Sequence, residues 1–274
     1  MGTLYVVATP IGNLEDLSPR ARRILSEVDV IAAEDTRHTG VLLKRLGINR
    51  PQVSYHAFNE RSRLEGLLAR LSEADVALVS NAGTPGISDP GALLVNAAAS
   101  AGFSVVPIPG PSALTAAMSA SGLIDGPSMF LGFLPRKKNA RLAMLNTALA
   151  SGFAIVLFES PNRTVSTLDE ISAMDQHRTV VMFRELTKLH EEGLRGTASE
   201  IVDQLRDKRI RGEVVIVVSG RQESAKPQVS VERLLSALID DGMSVSDAVR
   251  QVAETAGVSK SNVYAQALAI RKAR

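Results

Sequence analysis

Short runs of apolar, β-favouring residues recur along this 274-residue chain, and stretches that read as helices alternate with them. In the first half the pattern predicts strands at Leu4 to Ala8, Val30 to Ala33, Val76 to Val79 and Val105 to Ile108. Helices are predicted over Pro19 to Val28, where Ser18-Pro19 supplies an N-cap and a first-turn proline, and over Arg61 to Leu71, Pro90 to Ala101 and Ser112 to Ser121. A second set follows, with strands at Met129 to Phe133, Ala154 to Phe158, Val180 to Phe183 and Val214 to Val218. Its helices are predicted over Ala140 to Ala150, Arg163 to Met174 and Ser199 to Arg206. Alternation of this kind predicts an α/β class. The Gly-Leu-Ile-Asp-Gly-Pro stretch at 122–127 breaks the rhythm and reads as a linker, as does Gln222 to Ser230. The expected organisation is an α/β domain over 1–121, a second over 122–221 and a helical unit over 229–274.

Three of the apolar runs lead directly into turns rich in glycine and proline: Thr9-Pro10-Ile11-Gly12-Asn13, the stretch Ser80 to Gly91, and Pro109-Gly110-Pro111-Ser112. Buried parallel strands read as continuous apolar runs, and open α/β sheets bind ligands at the carboxyl ends of their strands. The three turns are therefore expected to share one rim and one ligand. None carries the Gly-x-Gly-x-x-Gly spacing of a dinucleotide site, and the phosphate-binding Gly-x-x-x-x-Gly-Lys-[Ser/Thr] pattern is missing from the chain. What remains for recognition is backbone.

Composition adds little to this picture. The chain is 45% hydrophobic and 22% charged, ordinary for a globular protein. With no cysteine, disulfides and thiolate metal sites are excluded, and a cytoplasmic location is expected. The start lacks the features of a signal peptide, and no run approaches the ~20 apolar residues of a membrane span. Net charge is only +2, with a pI near 9, but basic residues cluster at Arg136-Lys137-Lys138 with Arg141, at Arg206, Lys208, Arg209 and Arg211, and at Arg271-Lys272 with Arg274. Each is a solvated face or a site for phosphate backbones.

Polar groups at other strand ends are the remaining candidates for chemistry. Glu34-Asp35-Thr36-Arg37 closes the second strand and reads either as a surface pair with a helix cap or as a substrate contact. His56 and Asn59-Glu60 form another group, and a lone histidine serves structure more often than chemistry. Phe158 to Arg163 and Arg184 to Lys188 follow two later strands. The four histidines are scattered, so no metal is expected, and no Gly-x-Ser-x-Gly hydrolase elbow occurs. In the tail, Ala253 and Gly257 stand four apart, with Val252, Val258 and Val263 where a helix-turn-helix buries apolar side chains and the glycine makes the turn.

The ordered set Thr-Pro-Ile-Gly-Asn-Leu-Glu-Asp-Leu-Ser (9–18), Ala-Glu-Asp-Thr-Arg (33–37), Ser-Asn-Ala-Gly-Thr-Pro-Gly-Ile-Ser-Asp-Pro-Gly (80–91), Pro-Gly-Pro-Ser-Ala (109–113), Gly-Phe-Leu-Pro-Arg-Lys (132–137), Phe-Glu-Ser-Pro-Asn-Arg (158–163) and Arg-Glu-Leu-Thr-Lys (184–188) resembles the tetrapyrrole methylase superfamily, and within it the branch that methylates small-subunit ribosomal RNA. The resemblance spans roughly residues 3 to 220, and the tail resembles that branch's helix-turn-helix extension. It implies a two-domain tetrapyrrole-methylase-like α/β fold with a small C-terminal all-α, helix-turn-helix-like extension. It also implies S-adenosylmethionine in the cleft between the domains, and methyl transfer to the ribose 2′-oxygen of a cytidine in the decoding region of 16S rRNA. Carried over motif by motif, cofactor contact falls to Pro10, Thr84, Ile87, Ser112, Ala113, Phe158, Leu186 and Val214. The proton of the 2′-hydroxyl has Glu34, Asp35, Arg37 and His56 as candidate handlers, and Arg136, Lys137, Lys138, Arg163 and Lys188 would hold phosphates. The expected partners are 16S rRNA within the 30S subunit and a second copy of the chain, with no membrane.

One departure narrows the substrate. Cofactor loops of tetrapyrrole methylases carry Gly-Asp-Pro where this chain has Gly83-Thr84-Pro85, which fits the RNA-modifying branch. Two other readings remain: a methyltransferase of the same fold acting on a tetrapyrrole or a modified protein residue, and a ligand-sensing regulator that binds DNA through the 231–274 helices.

Overall fold

The structure is a computed structural model that describes residues 1–206, 208–221, 231–256 and 258–272. Residues 1–221 form one compact unit and residues 222–274 a second.

The apolar runs of the first half become a five-stranded sheet. Strands β1 (Thr3–Val7), β2 (Val30–Ala33), β3 (Gln52–Ser54), β4 (Val76–Val79) and β5 (Ser104–Ile108) stand in the order β3-β2-β4-β1-β5, with every neighbouring pair parallel. Both faces are covered, which is why β2 and β4 contain no polar residue. On one face Val7, Ile31, Ala33, Ala77 and Val79 pack with Ala21, Ile24 and Leu25 of α1 (Pro19–Glu27) and Leu43 of α2 (Thr36–Leu46). On the other, Leu4, Val30, Ala32, Val76 and Leu78 pack with Leu67 and Leu71 of α3 (Glu60–Leu71) and Leu94 and Ala98 of α4 (Ala92–Ser100). The N-terminus of α1 is as the sequence predicts: Pro19 takes the first turn, and the Ala21 amide donates to the Ser18 hydroxyl at 3.0 Å.

The pattern gave no bounds for helix α2 or strand β3, although a helix cap with an Asp35–Arg37 pair was one of the two readings of 34–37 and is what the structure has. Helix α2 is capped at its start by Asp35, whose carboxylate accepts the Arg37 amide at 2.8 Å, and at its end by Gly47 in the left-handed region. The polar cluster at 33–39 is thus largely the first turn of a helix. Strand β3 is an edge strand of three residues.

The second half builds another five-stranded sheet, from β6 (Ser128–Phe133), β7 (Ala154–Glu159), β8 (Thr179–Arg184), β9 (Glu192–Thr197) and β10 (Val214–Val218) in the order β6-β7-β10-β8-β9. Only β6 and β7 are parallel; the other neighbours are antiparallel. Strand β9, unforeseen, is a polar edge held by its ladder with β8. Helices α6 (Lys138–Ala150), α7 (Thr164–Met174) and α8 (Ala198–Leu205) cover one face through Leu145, Leu168, Ile171 and Ile201.

The other face is covered by a helix of the first half. Ala117 of α5 (Ala113–Ser121) packs in one cluster with Val156, Val181, Phe183, Val215 and Val217, and the predicted linker contributes Leu123 and Ile124 to the same layer. Arg195 of β9 donates to the Ala120 carbonyl at 2.5 Å and to the Ser121 carbonyl. These are orphan acceptors at the negative end of α5.

In the C-terminal unit, α9 (Val231–Asp240), α10 (Val245–Ala256) and α11 (Lys260–Lys272) pack through Leu235, Ala248, Val249, Val252, Ala253, Val263 and Ala267. Val252 and Val263 are buried as expected, but Val258 is 39% exposed. It lies between the helices, and its amide donates to the Ala253 carbonyl at 3.2 Å. Gly257, the 222–230 linker, Arg274 and the side chains of Arg271 and Lys272 lie outside the described residues. Among the described residues no helix is long and apolar enough to cross a membrane.

Candidate active site

Because every strand of the first sheet runs the same way, the carboxyl ends form one rim. The β1 and β4 turns are joined by reciprocal bonds, Thr9 N–H to the Gly83 carbonyl at 2.8 Å and Gly83 N–H to the Thr9 carbonyl at 2.9 Å. The Thr84 hydroxyl donates to the Pro111 carbonyl at 3.2 Å and ties in the turn after β5. Three turns distant in sequence therefore make a single wall. Opposite it, Val214 of β10 pairs with Glu159 of β7, so the start of one strand lies beside the end of the other. Phe133, closing β6, stands in register with Phe158.

Between the walls is a cavity of about 450 Å³, within the size range of small-molecule sites. Thr84, Ile87, Ser112, Ala113, Phe158 and Val214, six of the residues to which the resemblance assigns cofactor contact, line it. Pro10 and Leu186 do not: Pro10 precedes the lining residue Ile11, and Leu186 packs behind the wall against the cluster that contains Phe158 and Val215. Ser88, Glu185 and Thr187 are the non-glycine residues with positive φ among those described, at 65°, 55° and 66°. Ser88 lines the cavity, and Thr187 lines a shallow groove that shares Ile11 and Ser112 with it. Strained backbone of this kind persists only where its surroundings hold it.

Of the proton-handling candidates, Glu34 alone faces the cavity, where its Oε2 accepts the Asn81 amide at 3.1 Å. Asp35 is bonded to Arg37, whose guanidinium and amide hold its carboxyl at about 2. Such a carboxylate is a feeble base at neutral pH. The Arg37 side chain itself is 91% exposed. His56 accepts the Phe58 amide at Nδ1 and braces the turn before α3. Neither lines the cavity.

The residue that sequence reasoning passed over is Asp89, inside the long glycine turn. Burial pushes its carboxyl up to about 6; the nearby carboxylates of Glu34 and Glu213 add to the rise, and the Ser80 hydroxyl opposes it. Its environment thus tunes it toward proton exchange near neutrality. Because the folded state binds this proton more tightly than the unfolded chain, stability from Asp89 is complete below 3.8 and is lost as pH rises through about 6. We expect Asp89→Asn to raise Tm at pH 7.5 by about 2–4 °C, the shift given by ~1 kcal/mol in a chain of this size, and by far less at pH 4.5. Calorimetry at the two pH values checks this; equal shifts would refute it.

Glu159 is a different kind of acid. Its side chain is fully buried, and it accepts from Arg163 at 2.6 Å, the Thr167 hydroxyl at 2.8 Å and the Ser160 amide at 2.6 Å. Arg163 also donates to the Leu134 and Pro135 carbonyls at 3.1 and 3.4 Å. It is committed to the protein, as is Lys188, which bridges Glu185 and Glu213 at 2.8 and 3.0 Å. Arg141, placed by sequence in the basic cluster, is buried against Glu170 at 2.7 Å. Arg136, Lys137 and Lys138 are exposed and, among the described residues, form no ion pair.

The site therefore combines two fields. Glu34, Asp89, Glu159 and Glu213 line the cavity, an environment suited to a cationic ligand, and the Asn81 Oδ1 there is buried without a hydrogen-bond partner. An exposed cationic loop that forms no ion pair among the described residues follows Phe133.

Comparison with known proteins agrees with this architecture. Residues 3–202 match the family described as Tetrapyrrole (Corrin/Porphyrin) Methylases, and residues 225–271 match the RsmI C-terminal HTH domain. The chain is 44% identical to Ribosomal RNA small subunit methyltransferase I of Synechocystis sp. over 269 residues, covering 96% of each protein. It is 41% identical to the protein of the same name from Escherichia coli O157:H7, covering 97% of this chain and 95% of that one. Among solved structures, the methyltransferase CobJ aligns with a TM-score of 0.61 at 18% identity, over 80% of this chain and 95% of the other. Uroporphyrin-III C-methyl transferase from Thermus thermophilus, complexed with S-adenyl homocysteine, aligns at 0.56 with 17% identity, over 79% and 97%. At such identities the structural likeness is one of fold.

Proposed function

The chain belongs to the ribosomal RNA small subunit methyltransferase I family of the tetrapyrrole methylases, and from that membership we propose that it transfers a methyl group from S-adenosylmethionine to the ribose 2′-oxygen of a cytidine in the decoding region of 16S rRNA. The observation that carries the reading is the pairing of an acidic cavity with an exposed cationic loop that follows its lining residue Phe133. A cationic loop of this kind suits a polyanionic strand.

S-adenosylmethionine supplies a methyl group already activated by its sulfonium. The residues present fit such a ligand: of the cavity carboxylates, Glu34 and Asp89 have no ion-pair partner among the described residues and would offset its positive charge, and the orphaned Asn81 Oδ1 offers an acceptor to an ammonium or hydroxyl donor. The cavity-lining residues Thr84, Ile87, Ser112, Ala113, Phe158 and Val214 would hold it, with Pro10 and Leu186 outside the lining and supporting its walls. The chain's main task is to keep the 2′-oxygen in line at near-attack distance. The O–C bond would form as the donor's S–CH3 bond breaks, leaving S-adenosylhomocysteine, and the hydroxyl proton would pass to a cavity carboxylate. Glu159 is saturated by Arg163, and Lys188 occupies Glu213. Asp89 is then the acceptor, with Glu34 beside it.

Arg136, Lys137 and Lys138 hold phosphates, while Arg163 and Lys188 fix the loops that frame the site. We expect Lys137→Ala and Lys138→Ala each to weaken RNA binding and to lower the slope of log K against log [salt] by ~0.7, one single-strand phosphate contact apiece. Titrations of RNA at several KCl concentrations check this; an unchanged slope would remove the loop from the interface. We read the substrate as rRNA within the 30S subunit, and the protein as a cytoplasmic homodimer. Radiolabelled methyl transfer to 30S subunits, free 16S rRNA and a tetrapyrrole, with nucleoside analysis, tests the whole reading. Label in 2′-O-methylcytidine supports it, and label in the tetrapyrrole alone overturns it.

A further inference from the structure

An aromatic side chain left in solvent at the mouth of a polar cavity calls for an explanation, and Phe133 is 57% exposed there. Its position is built, not incidental. The β6–β7 ladder shifts register between Phe130 and Phe133, and Gly132 adopts φ 60°, an irregularity that re-aims the next side chain. A Cβ at residue 132 would stand 2.8 Å from the Ser88 Oγ, so the strand end is pressed against the turn that carries Asp89.

The ring is also braced from the core outward. Phe130 packs edge-on to Phe158 at 5.0 Å and 69°, and Phe158 packs edge-on to Phe133 at 5.6 Å and 63°. Phe130 and Phe158 belong to the apolar layer beneath α5. Immediately after the ring, Arg163 clamps the carbonyls of Leu134 and Pro135, and the free cations begin at Arg136. Three to five residues of extended chain span at most ~10–18 Å, so a nucleotide resting on Phe133 has its flanking phosphates within reach of Arg136 to Lys138.

We propose that Phe133 is the stacking platform for the base of the nucleotide that is methylated, an unstacked pyrimidine of single-stranded RNA. The inference rests on the RNA reading above. It places the base on a fixed ring, the phosphates on the cationic loop and the ribose toward the Asp89 turn that adjoins Gly132. Single-stranded RNA is read by this combination of aromatic faces and cations.

The test uses Phe133→Ala, Phe133→Leu and Phe133→Tyr in the full chain. The readouts are S-adenosylmethionine affinity by calorimetry, RNA affinity by anisotropy, and methyl transfer to 30S subunits lacking the modification. We expect alanine and leucine to lower kcat/KM for RNA by about 5- to 150-fold, the loss of one base–aromatic stack, and tyrosine to stay within about threefold of the parent. Methyl-donor affinity should be unchanged in all three. Leucine keeps an apolar contact with Phe158, so its loss would separate stacking from packing. The proposal fails if donor affinity falls while RNA affinity holds, which would give the ring to the donor's adenine, or if leucine performs as well as phenylalanine. A parent protein that labels no RNA would instead refute the function on which the inference rests.

Discussion

Replacing Arg163 with alanine is expected to destabilise the protein by about 3–5 kcal/mol, because it strands a buried carboxylate. The Glu159 side chain has no solvent exposure, and its partner guanidinium, 2.6 Å away, is itself only 23% exposed. Water cannot readily replace the lost charge. The Thr167 hydroxyl and Ser160 amide still bond to Glu159, which holds the expectation toward the lower end. Urea unfolding should show the midpoint falling with little change in slope, and Glu159→Gln added to Arg163→Ala should recover part of the loss, since a neutral amide does not need the cation. A loss under ~1 kcal/mol would mean that the pair behaves as a surface bridge. RNA binding should fall as well, although Arg163 touches no phosphate in this reading, because it pins Leu134 and Pro135 below the cationic loop.

The second large effect is expected at Gly212, which lines the cavity with φ 84°. A Cβ there would lie 2.3 Å from the Glu185 Cδ and Oε1. That carboxylate is not free to swing away, because it accepts the Lys188 ammonium at 2.8 Å and the Glu213 amide at 3.0 Å. Gly212→Val therefore carries a left-handed penalty of ~1–2 kcal/mol and loses hydrogen bonds worth ~1 kcal/mol each. Together these amount to about a 100-fold loss of methyl-donor affinity if the competent cavity wall must be re-formed for each binding event. Calorimetric titration with S-adenosylmethionine measures it. Removing the obstacle with Glu185→Ala in the Gly212→Val background should restore part of the binding; no recovery would point away from the steric cause.

What could be read from the sequence follows from where physical constraint is local. The bounds of β2 and β4 match the predicted strands because their residues are buried on both faces and can only be apolar. The turn wall was legible because glycine and proline announce close-packed turns wherever they occur. Strand β9 escaped because Glu192 to Thr197 is polar, contains two glycines and is extended only through its pairing with β8. Helix α2 was signalled by its cap, since Asp35 with Arg37 reads as a surface pair with a helix cap as readily as a substrate contact, but its span was not read from the pattern. Asp89 was in plain view within a quoted motif, but what sets it apart is its burial, together with the nearness of Glu34 and Glu213, which only the fold creates. The committed roles of Arg163 and Lys188 were hidden for the same reason: a cation's charge is visible in sequence and its partner's burial is not.

The packing of α5 against the second sheet has a consequence for the chain while it is being made. Ala117 leaves the ribosome with the first half, yet its neighbours Val215 and Val217 are about a hundred residues further on. At ~5–20 residues per second, the apolar side of α5 waits about 5–20 s for its cover. During that interval the nascent chain presents a sticky helix, which makes this segment the natural client of a chaperone and the weak point of any truncated product.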